Sequence, residues 1–173
     1  AFQLIENQRK ETLDDHILLT EIEAPPFKED KRAAQFLEML KNTGVDSIWI
    51  DEVGNVLALR KGTKGDKTVV LDAHLDTVFP EGTDVSVKMR GDTIYAPGVG
   101  DDTRGLAMLI RILSVMNETE IETEEDIVFV ASVGEEGLGD LRGVKYLFSE
   151  KGINIDSWIA IDGGSLDRVN NKA

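Results

Sequence analysis

The spacing of apolar positions along this chain switches between two periods, and each switch marks an element. From residue 6 to 22, Leu13 and Ile17 recur four apart among Glu, Gln, Lys and Asp, which predicts a helix that Pro25 and Pro26 end. The stripe Ala33, Phe36, Leu37 and Leu40 predicts a second helix from Glu29 to Asn42, stopped by Gly44. Period two then takes over. Ser47–Asp51 and Asn55–Arg60 read as the strands of a hairpin joined through Val53, Gly54 and Asn55. A turn at Gly62–Asp66 leads into the strand Val69–Ala73, β-branched at its start and followed by His74, Leu75 and Asp76. Shorter strand-like pieces, Val85–Lys88 and Thr93–Tyr95, sit in a loop rich in Gly, Asp and Pro. Leu106, Leu109, Ile110 and Leu113 share one face and predict a helix over Asp102–Met116. Asp126–Ser132 reads as an apolar strand, Asp140–Lys151 as a helix and Ser157–Ile161 as a last buried strand. Strands separated by helices predict an α/β fold, a three-layer α/β/α sandwich around a largely parallel, mixed sheet.

Composition narrows the partners. The 173 residues suffice for one domain with its own core. A formal net charge of −14 argues against nucleic acid and anionic membrane. The stretch 117–126, with six acidic side chains and no basic one, reads as a solvated connection. The chain has no cysteine, so disulfides and thiolate metal sites are excluded. No basic segment followed by an apolar one opens the chain, and no run approaches the ~20 apolar residues of a membrane span. The expectation is a cytoplasmic protein, with an extracytoplasmic location open if a leader was removed before residue 1.

Chemistry collects where a parallel sheet places it, outside the carboxyl ends of the strands. His74 and Asp76 follow one strand, Gly134, Glu135 and Glu136 another, and Asp162, Gly163 and Gly164 the last; Gly100, Asp101 and Asp102 open the long helix. Alternation puts His74 and Asp76 on one face, where a carboxylate can fix the imidazole tautomer and strengthen it as a ligand. One His with several carboxylates suits Zn²⁺, or Mn²⁺ or Co²⁺, and carboxylates so close need a cation to offset their repulsion. Taken singly, Asp102 reads equally well as a helix cap and Glu135-Glu136 as loop surface. His16, among polar neighbours, reads as an ordinary helix-surface histidine.

The ordered motifs H-L-D-T-V, G-x-G-D-D with a glycine three residues on, G-E-E-G and I-D-G-G resemble those of the di-zinc metallopeptidase family that contains aminoacylase, glutamate carboxypeptidase, dipeptidases and peptidase T. The resemblance covers nearly the whole chain and implies a zinc-exopeptidase-like fold. It makes His74 a zinc ligand with Asp76 as its supporting carboxylate, and Asp101 the bridge between two ions. It makes Glu135 the general base, Glu136 a ligand of the second ion and Asp162 a ligand of the first. It also implies a cis peptide between Asp101 and Asp102. Two departures stand out. Thr103 occupies the place of the family's usual Lys, and the C-terminal His that completes the second site has no counterpart, since the chain holds only His16 and His74.

The resemblance therefore implies that residues 1–173 are one domain, the N-terminal portion of a longer catalytic domain, without the lid or dimerisation domain through which such proteins form homodimers. The implied activity is zinc-dependent hydrolysis of peptide bonds in small peptides by an activated water. An N-acyl amino acid deacylase with the same chemistry is the alternative, and the 173 residues alone read as a metal-binding domain without turnover. An aspartyl phosphatase fits less well, because Asp72 and Asp76 are four apart where that class needs D-x-D.

Overall fold

The computed structural model describes residues 1–149 and 151–164. In chain order its elements are the helices α1 (Phe2–Asn7), α2 (Arg9–Thr20) and α3 (Asp30–Leu40), and the strands β1 (Ser47–Ile50), β2 (Val56–Arg60) and β3 (Thr68–His74). A small ribbon follows, β4 (Lys88–Arg90) and β5 (Thr93–Tyr95), and then α4 (Thr103–Glu118), β6 (Asp126–Ser132), α5 (Arg142–Leu147) and β7 (Ser157–Ala160). The main sheet has the order β1-β2-β6-β3-β7. β2 runs antiparallel to both its neighbours, β1 and β6, while β3 runs parallel to both β6 and β7.

Alternation along the strands splits the core in two. Leu71, Ala73 and Leu75 face the helices with Ile127, Phe129, Ala131, Val56 and Ala58; there they meet Phe36 and Leu40 of α3 and Leu106, Leu109 and Leu113 of α4. Val70, Val128, Val130 and Leu57 point the other way, under Leu147, Ile153, Ile155 and Trp158. The three layers are therefore present, and α5 with residues 151–156 forms the thinner one among the described residues.

Four elements differ from the expectation, the first being β7: expected to be buried, it lies at the edge of the described sheet and leaves Ser157, Ile159 and Ala160 exposed. The first helix is broken at Gln8, whose backbone leaves helical geometry (ψ 16°). The break turns its side chain toward α4, where it accepts from Arg111 and donates to Glu118. The strand expected over Val85–Lys88 starts only at Lys88, because side chains take the preceding backbone donors: Asp84 accepts from Ser86 N–H and Glu21 from Val87 N–H. The helix expected over Asp140–Lys151 is confined to Arg142–Leu147. Asp140 and Leu141 have positive φ, and the N–H groups of Arg142 and Gly143 go to the carbonyls of Gly134 and Val133 rather than into a helical ladder. Glu150 of that expected helix lies outside the described residues.

The hairpin is fastened to the site edge. Asp51 accepts from the N–H groups of Val53, Gly54 and Asn55. Buried Asn55 accepts from Val133 N–H at 2.9 Å and donates to Gly143 O at 3.1 Å, which pins the exit of β6.

Candidate metal centre

Because β3, β6 and β7 run the same way, their carboxyl ends open on one edge, and α4 begins there as well. His74 is the last residue of β3 and is buried. Its Nδ1 faces the main-chain carbonyl of Asp76 at 3.0 Å, and its Nε2 lies 2.8 Å from Asp101 Oδ1 and 3.9 Å from Asp162 Oδ1. Ligand atoms of His74, Asp101 and Asp162 all fall within 4.8 Å of one another, and so do those of His74, Glu135 and Glu136. Asp101 and Glu136 also line one open cavity of about 470 Å³. On the other side of the site, His74, Glu135 and Asp162 line a recess of about 190 Å³. All six residues singled out from the sequence thus meet at one place.

Asp76 has a second task beside its place next to His74. The carbonyl of Asp76 orients the imidazole, while its carboxylate Oδ1 stands 3.6 Å from Nδ1. That fully buried carboxylate also accepts the backbone N–H groups of Glu135 and Glu136, each at 2.9 Å. A carboxylate satisfied by two amides and an adjacent imidazole stays ionised. Burial opposes this, but those three donors hold its pKa below the usual range.

Asp102 combines two tasks. It caps α4 by accepting from Gly105 N–H at 3.1 Å, and it also accepts the N–H of His74 at 3.1 Å, which ties the helix start to the strand end. The Asp101–Asp102 peptide is cis. Gly163 passes so close to Asp101 that a Cβ there would sit 2.9 Å from the Asp101 side chain. Gly134 has φ +62°, and a Cβ on it would strike Arg142, the partner of buried Glu29.

The electrostatics favour a cation. Burial and the surrounding carboxylates raise the pKa of Glu135 and of Glu136. Burial works against charge on His74, yet Asp76, Asp102 and Asp101 outweigh it and push the imidazole up to about 10. A site that holds a proton this tightly on its imidazole is one where positive charge is stabilised. Its donor set, one imidazole nitrogen with carboxylate oxygens, is chemically suited to a divalent metal such as zinc.

Several contributors escaped the sequence reading. Buried Arg32 donates to the carbonyls of Leu75 and Ile22, beside Asp76. His16 is half-buried rather than on the surface, and its Nε2 meets Val99 O at 2.6 Å. Thr103, in the place of the family's Lys, is fully buried and bonded to Gly98 O and Thr20. Arg104 is the cationic side chain lining the larger cavity. Unlike Asp102, which the sequence marks at a helix start, Arg32, His16 and Thr103 are tied in by contacts with distant segments.

Residues 70–170 match the model of peptidase family M20/M25/M40, a stretch that holds His74 and the four carboxylates around it. The chain belongs to this family. The Bacillus subtilis protein YqjE is 33% identical over 156 residues, covering 80% of this chain and 39% of its own length. The solved structure of a Staphylococcus aureus tripeptidase matches with a TM-score of 0.69 and 29% identity over 90% of this chain and 44% of the tripeptidase. Bacillus subtilis YXEP, a dinuclear metal-binding peptidase of family M20, shares the fold at a TM-score of 0.63 and 12% identity, over 91% of this chain and 44% of its own. The M20 chain described here thus spans less than half the length of these relatives. No helix among its described residues is long and apolar enough to cross a membrane.

Proposed function

We propose that this protein hydrolyses peptide bonds in small peptides with two zinc ions, as an exopeptidase. The observation that carries the reading is the convergence of His74, Asp101 and Asp162 with Glu135 and Glu136 around one cavity edge. Membership of a family with dinuclear metal-binding peptidases supports it, as does the likeness to a tripeptidase. In this reading His74, Asp101 and Asp162 would hold the first ion, and Glu136 with Asp101 the second. When bound, such ions make water acidic near neutral pH and polarise a carbonyl oxygen.

The chain's own residues handle binding and protons. Glu135, whose pKa burial raises, accepts the proton of the attacking water and hands it to the departing amine. Asp76 holds the backbone of both glutamates, so one carboxylate can serve the metal while its neighbour moves protons. Arg104 places a positive charge on the cavity wall, suited to an anionic group of the substrate. In this reading the 173 residues act as the N-terminal portion of the catalytic domain.

The test is hydrolysis of a panel of di- and tripeptides and N-acyl amino acids by the protein carrying these residues, after chelation and after zinc is restored. Zinc-dependent release of free amino acids from the peptides is the expected result. Cleavage of the N-acyl amino acids alone would make the protein a deacylase. Equal rates with and without metal would overturn the two-metal reading.

A further inference from the structure

Asp101 is poorly anchored for a residue that must face two ions. Its side chain is 54% exposed, and its only hydrogen bond among the described residues is to His74. Asp76 and Asp102, by contrast, are each held by two backbone amides. The aim of Asp101 must therefore come from the backbone of its loop, residues 98–103.

That loop is gripped from across the chain by α2. His16 Nε2 donates to Val99 O at 2.6 Å. One helical turn later, Thr20 Oγ1 meets Thr103 Oγ1 at 2.7 Å, and Thr103 Oγ1 in turn lies 3.0 Å from Gly98 O. Residues 16 and 20 project from one face of the helix, and they pair with residues 99 and 103, which flank Asp101 on both sides. Thr20 Oγ1 also lies 2.7 Å from His16 O. The two hydroxyls have two protons for these three contacts, so the shared bond is made at the cost of one carbonyl contact, and in either direction it ties Thr20 of α2 to Thr103. Burial lowers the pKa of His16, with the Val99 carbonyl opposing it and Arg104 adding to it, and the Nε2–H serves that carbonyl. Thr103 can join this cluster because it is buried and hydroxylated.

We propose that His16 and Thr20 are positioning residues, which hold the 98–103 loop so that Asp101 faces the metals. The proposal rests on the reading of Asp101 as a metal ligand. Removing a group that orients a ligand costs roughly 10–100-fold in metal affinity.

The experiment is calorimetric titration of the chelated protein with Zn²⁺, alongside urea denaturation, for the wild type and for His16→Leu, His16→Gln, Thr20→Val and Asp101→Asn. The expected result is about a 10–100-fold loss of zinc affinity in His16→Leu. Recovery is expected in His16→Gln, whose amide places an N–H donor at a similar reach. A purely structural role would lower the urea midpoint of His16→Leu and leave its zinc affinity unchanged, which would overturn the proposal. Should His16→Leu not fold, Thr20→Val, nearly the same shape without the hydroxyl, carries the same comparison, with unchanged affinity as the overturning result. Wild-type affinity in Asp101→Asn would mark a failure of the metal-site reading instead, because the ligand itself would then be dispensable.

Discussion

Asp76 Oδ1 accepts the backbone N–H of Glu135 at 2.9 Å, and its Oδ2 accepts that of Glu136 at the same distance. One buried carboxylate from the end of β3 thus sets the main chain of the loop after β6, and β3 and β6 are made a single working edge. Asp76→Ala orphans both amides, at about 1–3 kcal/mol for each donor left buried without a partner. The expected outcome is a lower urea midpoint together with loss of turnover. Asp76→Asn keeps the shape and one acceptor oxygen, and should fall between the wild type and Asp76→Ala in both measurements.

Glu135 and Glu136 separate by chemistry. Glu135→Ala should lower kcat by about 10²–10⁴-fold, the usual worth of a general base, with zinc content unchanged. Glu136→Ala should lower the zinc content. Metal analysis of both purified variants beside their kcat checks the assignment, and the opposite pattern would exchange the two roles.

The chelated protein should lose stability as the pH rises. Burial pushes Asp102 up to about 8 and Asp72 up to about 7, well above an unfolded value of about 3.9. The fold therefore keeps protons that the unfolded chain has released, and the advantage is lost as pH climbs through those values. On His74, burial is outweighed by Asp76, Asp102 and Asp101, which raise it to about 10. Its contribution is complete below the unfolded value of about 6.5 and is lost as pH rises through about 10. All three groups act in one direction, so the melting temperature in the presence of chelator should be lower at pH 9 than at pH 7.

Gly163 is required by its distance from Asp101. The Cβ of Gly163→Ala would sit 2.9 Å from the Asp101 side chain, which must shift. The variant should keep its far-UV circular dichroism and bind zinc about 10-fold more weakly, since a displaced ligand costs affinity in the way a lost supporting contact does.

How much of this was legible in the sequence follows from which interactions are local. Val69–Ala73, Ile127–Ala131 and the stripe Leu106–Leu113 announce their elements because burial on one face imposes a period, and a period is visible without knowing the partner. His74, Asp76, Asp101, Glu135, Glu136 and Asp162 were legible for a related reason. Parallel strands bring their carboxyl ends to one edge, so polar residues after apolar strands, and Asp101 at the start of the helix, are candidates for the same site. The ends of α5 and the break at Gln8 were not legible. In each case a backbone or side-chain group leaves its own helix for a distant partner, Val133 and Gly134 for α5 and Arg111 and Glu118 for Gln8.

The sequence by itself determined the layered α/β architecture and the six candidate residues that meet at one edge of its sheet. Strand and helix periods and the order of the motifs are properties of short stretches, and short stretches carry them in full. Only the tertiary structure decided what each carboxylate touches. It gave Asp76 the backbone of two glutamates as well as its place beside His74, gave Asp102 the His74 amide as well as its helix, and brought His16 to the Val99 carbonyl. A hydrogen bond needs two groups within about 3 Å at the right angle. For residues separated by 28, 59 or 83 positions, that geometry exists only once the layers have packed.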